Sequence, residues 1–317
     1  MLNIDNISFS YNRRPTIKQL NFSVEKGKVL AVIGESGCGK STLLKLIYGM
    51  YDLDAGDISF AEKPILGPKY NLIPGEDYIK YLAQDFDLMP YVTVAENVGK
   101  FLSNANKANK NARIGELLEL VEMNDFAHVK AQHLSGGQMQ RVAIARVFAL
   151  EPKVLLLDEP FSHIDNFRRK TLSRKLFAWL KEKKITCVVA THDSTDVLSF
   201  ADEVLIMKEG AIVESGDPRA VYKCPVNKYV ASFFGDVNEI PGHYFEKDIA
   251  LDSTVLVYPH QLQVVNDGKL RVVVKHSYFR GSYYLIEAFY DDGLLFFEHQ
   301  SELSENSIFH LALKNGL

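Results

Sequence analysis

The sequence predicts an α/β fold built on a buried parallel sheet and followed by a small domain made mostly of strands. Three observations predict it. A glycine-rich loop, Gly34-Glu35-Ser36-Gly37-Cys38-Gly39-Lys40-Ser41, joins the apolar run 29–33 to an apolar-rich helical stretch that continues from Thr42. Two further apolar runs, 154–157 and 185–190, alternate with helical periodicity, as strands buried on both faces do. Beyond residue 238 the pattern changes to short alternating segments separated by turns.

Composition narrows the class. The 317 residues are 47% hydrophobic and 24% charged, ample for a large core. A net charge of −4 argues against a general nucleic-acid binder, which needs a basic surface to neutralise phosphates. The chain shows no charged-then-apolar leader and no apolar run near ~18 residues, so neither a signal peptide nor a membrane span is expected. Cys38, Cys187 and Cys224 lack metal-ligand spacing, and their odd number fits a reducing compartment.

Taken in order, Ile4, Ile7, Phe9 and Tyr11 alternate, a basic turn Arg13-Arg14-Pro15 follows, and Phe22 and Val24 resume the pattern. This reads as an antiparallel sheet leading into the buried strand 29–33. Tyr11 closes the first strand, where it is either a surface aromatic or a face for adenine to stack on. In the glycine-rich loop, backbone N–H groups can wrap a polyphosphate, Lys40 adds a charge near the β- and γ-phosphates, and the Ser41 hydroxyl can ligate Mg²⁺. The helix beginning there offers its N-terminus to the anion. The stretch reads as a nucleotide-binding loop.

Gln84 ends the strand-like Tyr81-Leu82-Ala83 and can offer its carbonyl to Mg²⁺ or to an attacking water. Phe86, Leu88, Met89, Pro90 and Val92 then form an apolar loop suited to a partner helix or to a subdomain core. Residues 104–111 read as a polar connection, after which Ile114, Leu117, Leu118 and Val121 recur at helical spacing. Leu134-Ser135-Gly136-Gly137-Gln138 opens a second helix with an anion-binding start. The run 154–157 ends in Asp158-Glu159-Pro160, and neighbouring acids on an extended chain point to opposite sides. Asp158 can therefore hold Mg²⁺ while Glu159 polarises a water. A long helix follows, with Arg168, Arg169, Lys170, Arg174 and Lys175 reading as a solvated basic face. His192, after the strand 185–190, can donate to a γ-phosphate or cap the sheet edge.

In this order and over residues 1–235, these stretches resemble the ATP-binding subunits of ATP-binding-cassette (ABC) transporters, P-loop NTPases with a parallel core sheet, an antiparallel β subdomain and a helical subdomain at about residues 86–150. Residues 34–41 are similar to the Walker A loop, Gln84 to the Q-loop, and residues 134–138 to the family signature. Asp158 and Glu159 resemble the Walker B end, His192 the switch histidine and Tyr11 the A-loop aromatic. Ser162-His163-Ile164-Asp165 keeps the family's flanking Ser and Asp but departs at its middle residues, which bears on dimer communication and not on hydrolysis.

The resemblance implies an ATPase that uses ATP and Mg²⁺. It assigns nucleotide contacts to Tyr11, residues 34–41, Thr42, Ser135, Gly136, Gly137 and Gln138; metal ligation to Ser41, Gln84 and Asp158; and catalysis to Glu159, His192 and Gln84. It also implies a head-to-tail dimer, of two copies or of paired ABC subunits, in which one signature closes on the γ-phosphate held by the other subunit's Walker A loop. Membrane permease subunits and a solute-binding protein are the implied partners, at the cytoplasmic face of the membrane and without nucleic acid.

Residues 236–317 alternate in segments 254–258, 270–275, 283–290, 294–297 and 308–313, separated by Asn266-Asp267-Gly268, Arg280-Gly281 and Asp291-Asp292-Gly293. This is a small β-barrel pattern. It resembles the oligomer-binding-type (TOBE-like) domain of importer ATPases for polyamines, ferric iron, sulfate or molybdate. An importer motor subunit is therefore the leading expectation. The alternatives are an exporter ATPase, a soluble cassette ATPase acting on nucleic acid or ribosomes, and a barrel that senses a metabolite.

Overall fold

The computed structural model describes residues 1–245, 253–291 and 293–314, and forms two compact units, Met1–Arg219 and Ala220–Leu317. In the first, β1 (Leu2–Tyr11) and β2 (Arg14–Val24) form an antiparallel hairpin whose turn residues Asn12 and Arg13 have φ of 46° and 67°. Left-handed residues at both turn positions give the twist that suits a two-residue hairpin. The turn thus falls at Asn12-Arg13, before the expected Arg13-Arg14-Pro15, and Pro15 is tolerated because β2 is an edge strand.

β3 (Val29–Gly34) enters the core sheet, α1 (Lys40–Ile47) leaves it, and β4 (Ala55–Phe60) and β5 (Lys63–Pro64) complete the first sheet in the order β2-β1-β4-β5. β6 (Ile79–Leu82) returns to the core. A helical layer follows: α2 (Val94–Gly99), α3 (Lys107–Leu120) and α4 (Gly136–Val147). Here the structure corrects the sequence reading, since α3 begins within the expected polar connection. Asn106 accepts a hydrogen bond from the Asn109 N–H and so caps a helix whose first turn carries no apolar signal. Arg141, 3% exposed, donates to the carbonyls of Val121 and Glu122 at 3.1 and 2.9 Å, tying α4 to the end of α3.

β7 (Val154–Asp158), α5 (Asn166–Glu182), β8 (Thr186–Ala190), α6 (Ser194–Phe200), β9 (Glu203–Lys208) and β10 (Ala211–Gly216) complete a six-stranded sheet in the order β10-β9-β3-β8-β7-β6. Only the β9–β10 pair is antiparallel. Every residue of β3, β7 and β8 is buried, the two-sided burial that their continuous apolar runs predict.

α7 (Pro218–Lys223) carries the chain into the second unit, which includes α8 (Lys228–Ser232). The Tyr222 ring stacks on Tyr258 at 4.7 Å, and the Tyr258 hydroxyl donates to the Ala231 carbonyl, so both helices are held there. β11 (Asn238–Pro241) pairs with β12 (Thr254–Val257). β13 (Leu262–Val265), β14 (Leu270–Phe279), β15 (Tyr284–Tyr290), β16 (Gly293–His299) and β17 (Ile308–Leu313) form an antiparallel sheet in the order β13-β17-β14-β15-β16. β11 and β13 are additions to the strands read from sequence, and Asp292 of the expected turn lies outside the described residues. The Asn238 side-chain amide donates to the Phe296 carbonyl and accepts from the Phe296 N–H, both at 2.7 Å, so a side chain satisfies an edge position of β16 in place of a further strand.

On this sheet the Glu287 carboxylate accepts from Lys275 Nζ and the Tyr278 hydroxyl, each at 2.7 Å. The Lys275 contact, followed by that of Tyr278, holds the Glu287 carboxyl below its ordinary range. The folded state therefore binds fewer protons than the unfolded chain near the carboxylate pKa. Its contribution is present above the ordinary value of about 4.3 and fades as pH falls through the folded value. Thermal unfolding of the full chain and of Glu287→Gln should show a gap in Tm at neutral pH that closes on acidification through this window. A gap independent of pH would remove Glu287 from the acid response.

Candidate active site

Parallel register brings the chemical residues together. Ala190 at the end of β8 lies opposite both Val32 of β3 and Asp158 of β7, so the segments after these strands leave the sheet at one edge. There, residues of the 34–42 loop and helix start line a cleft of about 410 Å³ with Gln84, Asp158, Glu159 and His192.

Gly39 precedes α1 with φ 111°, a left-handed conformation that favours glycine, and no side chain caps the helix. The first N–H groups of α1 therefore stay available to an anion at the positive end of the helix dipole. Lys40 Nζ donates to the carbonyls of Gly34 and Glu35 at 2.7 and 3.0 Å, which holds its charge over the loop.

The Ser41 hydroxyl donates to Asp158 Oδ1 at 3.0 Å, and the Tyr81 hydroxyl donates to Oδ2 at 3.1 Å. Both oxygens of this buried carboxylate are thus oriented from separate elements. Burial, and then the Asp158 charge, push the Tyr81 phenol far above its ordinary range, so it stays a protonated donor. Next to this pair, His192 Nδ1 lies 2.7 Å from Glu159 Oε2. Glu159 has φ 49°, unusual for a residue with a side chain, and it turns off the end of β7 by this left-handed step.

Other candidates lie elsewhere. The Tyr11 ring packs edge-on against Phe9 and Tyr51 at 4.7 and 5.4 Å, and it is not among the residues that line the cleft. Cys38 is buried, and burial is the main cause that pushes its thiol up, which makes it an unreactive filler of the loop. Ser135, Gly136, Gly137 and Gln138 do not line this cleft; they open α4. Ser135 Oγ accepts from the Gln138 N–H at 3.3 Å, while Gln138 Oε1 accepts from the Ser135 N–H at 2.8 Å. The Ser135 hydroxyl proton remains able to donate to an anion.

Three residues beyond the sequence reading support the site. Tyr81 is one, legible only as a lone hydroxyl in an apolar strand. Gln140, 1% exposed, donates to the Glu159 carbonyl at 2.9 Å and accepts from the His163 N–H at 2.9 Å. Arg146 donates to the carbonyls of Phe86, at 3.0 Å, and Asp87. Phe86 and Asp87 follow Gln84 with φ of 61° and 46°, so the guanidinium fork braces a left-handed pair. His163, in the stretch that departs from the family pattern, sets its ring edge-on against Phe86 at 5.2 Å, and Ile164 is buried.

The sequence pattern of the ABC transporter family matches residues 17–162. The Fe(3+) ions import ATP-binding protein FbpC 1 of Rhodococcus jostii (strain RHA1) is 37% identical over 286 residues, covering 84% of this chain and 81% of its own length. This chain belongs to the ATP-binding subunits of ABC transporters. It is also 33% identical over 329 residues to the putrescine transport ATP-binding protein PotG of Escherichia coli (strain K12), covering 100% of this chain and 85% of the relative. Among solved structures, it is similar to a dimeric ATP-binding cassette in a post-hydrolysis state bound to ADP and Pi, with TM-score 0.62 and 27% identity over 69% of this chain and 99% of the other. CbiO1 from Clostridium perfringens, part of the ABC transporter complex cbiONQ, aligns with TM-score 0.62 and 31% identity, covering 70% of this chain and 90% of that one. As a member of this family, the chain is an ATP-binding ABC ATPase. Among the described residues, no helix is long and apolar enough to cross a membrane.

Arg146→Lys keeps the charge and loses the fork, so one of the two carbonyls, part-buried Phe86 or exposed Asp87, gives up a charge-assisted hydrogen bond of about 1.5 kcal/mol. Hydrogen exchange at the amides of residues 84–89 should accelerate by about tenfold or more, corresponding to about 1.4 kcal/mol of local opening. Unchanged exchange in this segment would show that the brace is not Arg146.

Proposed function

We propose that this ABC ATPase drives import through a separate membrane permease, hydrolysing ATP with Mg²⁺ at a site shared between two head-to-tail subunits. The observation that carries the hydrolytic part is the contact of His192 with Glu159 beside the paired Ser41 and Asp158. A hydroxyl, a carboxylate and the nearby Gln84 amide are hard oxygen donors, and Mg²⁺ takes a few of these alongside phosphate oxygens and waters. The donor set fits. Ser41, Asp158 and Gln84 would hold the ion, which supplies neutralisation of charge on the β- and γ-phosphates.

In this reading, Lys40 and the N–H groups at the start of α1 bind the phosphates, and Tyr11 and Thr42 border the base side. Glu159 accepts the proton of the attacking water. His192 holds Glu159 through Nδ1 and stands in the same cleft as the phosphate loop, where it faces the γ-phosphate. Ser135 to Gln138 supply donors to the γ-phosphate of the other subunit, which accounts for an anion-binding helix start lying outside the cleft of its own chain.

The similarity to relatives named for ferric-ion import and putrescine transport supports the importer reading. Tyr91 and Phe101, both well exposed in the helical layer, offer apolar surface for a permease on the cytoplasmic face of the membrane. A solute-binding protein completes the importer. We assign the cassette to residues 1–235, its helical subdomain to about 86–150, and a TOBE-like accessory domain to residues 236–317.

Glu159→Gln should lower turnover by about 10² or more, the share of general-base catalysis, while ATP-bound dimers accumulate in gel filtration. Undiminished hydrolysis would remove Glu159 as the base. Mixing Lys40→Ala chains with Ser135→Arg chains should recover about a quarter of parental ATPase activity, since half the dimers are mixed and each has one intact site. No recovery would overturn the shared site.

A further inference from the structure

The backbone of Glu159 is held in its left-handed conformation from several directions. Its N–H donates to the Ala190 carbonyl at 2.9 Å. Its carbonyl accepts from Gln140 Nε2 at 2.9 Å, from the Ser162 hydroxyl at 3.1 Å and from the Ser162 N–H at 3.3 Å. The Ser162 contacts are local to the turn, whereas Gln140 comes from a different element. It sits on α4, two residues beyond the signature residue Gln138, and is almost wholly buried.

The same amide also reaches past Glu159. Gln140 Oε1 accepts from the His163 N–H at 2.9 Å, so one planar group spans the turn from residue 159 to residue 163. The signature packs directly on this turn as well: a Cβ added to Gly137 would lie 2.7 Å from the His163 carbonyl oxygen. A left-handed residue with a side chain persists only where its surroundings fix it, at a cost that recurs at switch and catalytic positions. Here the fixing donor belongs to the signature helix.

We propose that Gln140 is a positioning residue for the hydrolytic carboxylate: its amide sets the direction in which the Glu159 side chain leaves the sheet edge, within the same subunit. This rests on the reading of Glu159 as the base at a site shared by two subunits. The amide touches neither nucleotide nor water, so its effect falls on orientation. Without it the Glu159 peptide can relax toward an ordinary conformation, carrying the carboxylate away from His192.

Mixed dimers separate this role from general support of the signature. When Lys40→Ala chains are combined with Ser135→Arg chains, the single intact site takes its phosphate loop and Glu159 from the Ser135→Arg chain and its signature from the Lys40→Ala chain. Gln140→Met, similar in volume but without hydrogen bonds, is added to one chain at a time. In the Ser135→Arg chain it should lower the recovered kcat by about tenfold or more with KM for ATP changed by less than about threefold, as displacement of a reacting group does. In the Lys40→Ala chain it should leave the recovered activity within about twofold.

Equal effects from the two placements, or a larger loss from the Lys40→Ala chain, would overturn the proposal and make Gln140 a support of the signature. Gln140→Leu provides a second variant of different shape that likewise loses both hydrogen bonds, and the same asymmetry is expected of it. If the mixed dimers recover nothing with Gln140 intact, the shared-site reading has failed, which is a different result from recovery that is indifferent to Gln140.

Discussion

The chemistry of this protein depends on the parallel register of β3, β8 and β7. These strands are buried along their whole length, and their carboxyl ends release the phosphate loop, His192 and the Asp158-Glu159 pair side by side. Each buried Val or Leu contributes about 1.5–3 kcal/mol, so the packing of both faces fixes the register strongly. A slip of one residue would turn the side chains of a strand to the other face. It would also part Ser41 from Asp158. Core packing and active-site geometry are in this sense the same constraint.

The edge so formed contains backbone conformations that packing alone would not favour. Phe86, Asp87 and Glu159 are left-handed without being glycine, at a typical cost of about 1–3 kcal/mol each. Hydrogen bonds from Arg146 and Gln140 offset that cost, and both come from α4. One helix therefore begins with the signature residues, braces the loop after Gln84 and holds the turn after β7. The position of this helix bears on each of these parts of the site.

Legibility in the sequence followed the distance between partners. The phosphate loop and the acidic pair were readable because each is a continuous stretch whose backbone geometry and neighbouring strand decide its chemistry. The buried strands were readable because two-sided burial demands unbroken apolar runs. The start of α3 was not, since its first turn is capped by Asn106 and faces solvent, so composition there resembles a linker. Tyr81 and Arg146 were also hidden, because their partners stand 77 and 60 residues away and nothing in the local spacing marks them.

By itself, the sequence determined the identities of the chemical groups and the local elements that present them: Lys40 and Ser41 at a helix start, Asp158 and Glu159 at a strand end, Ser135 to Gln138 at a second helix start. Those choices rest on short-range physics, the free N–H groups of a helix terminus and the alternation of an extended chain. Only the tertiary structure decided which groups meet. Ser41 finds Asp158 across 117 residues, His192 finds Glu159, and the signature residues stand outside the cleft that holds Lys40. Meeting at a distance is set by strand order and long-range burial, which no local pattern encodes.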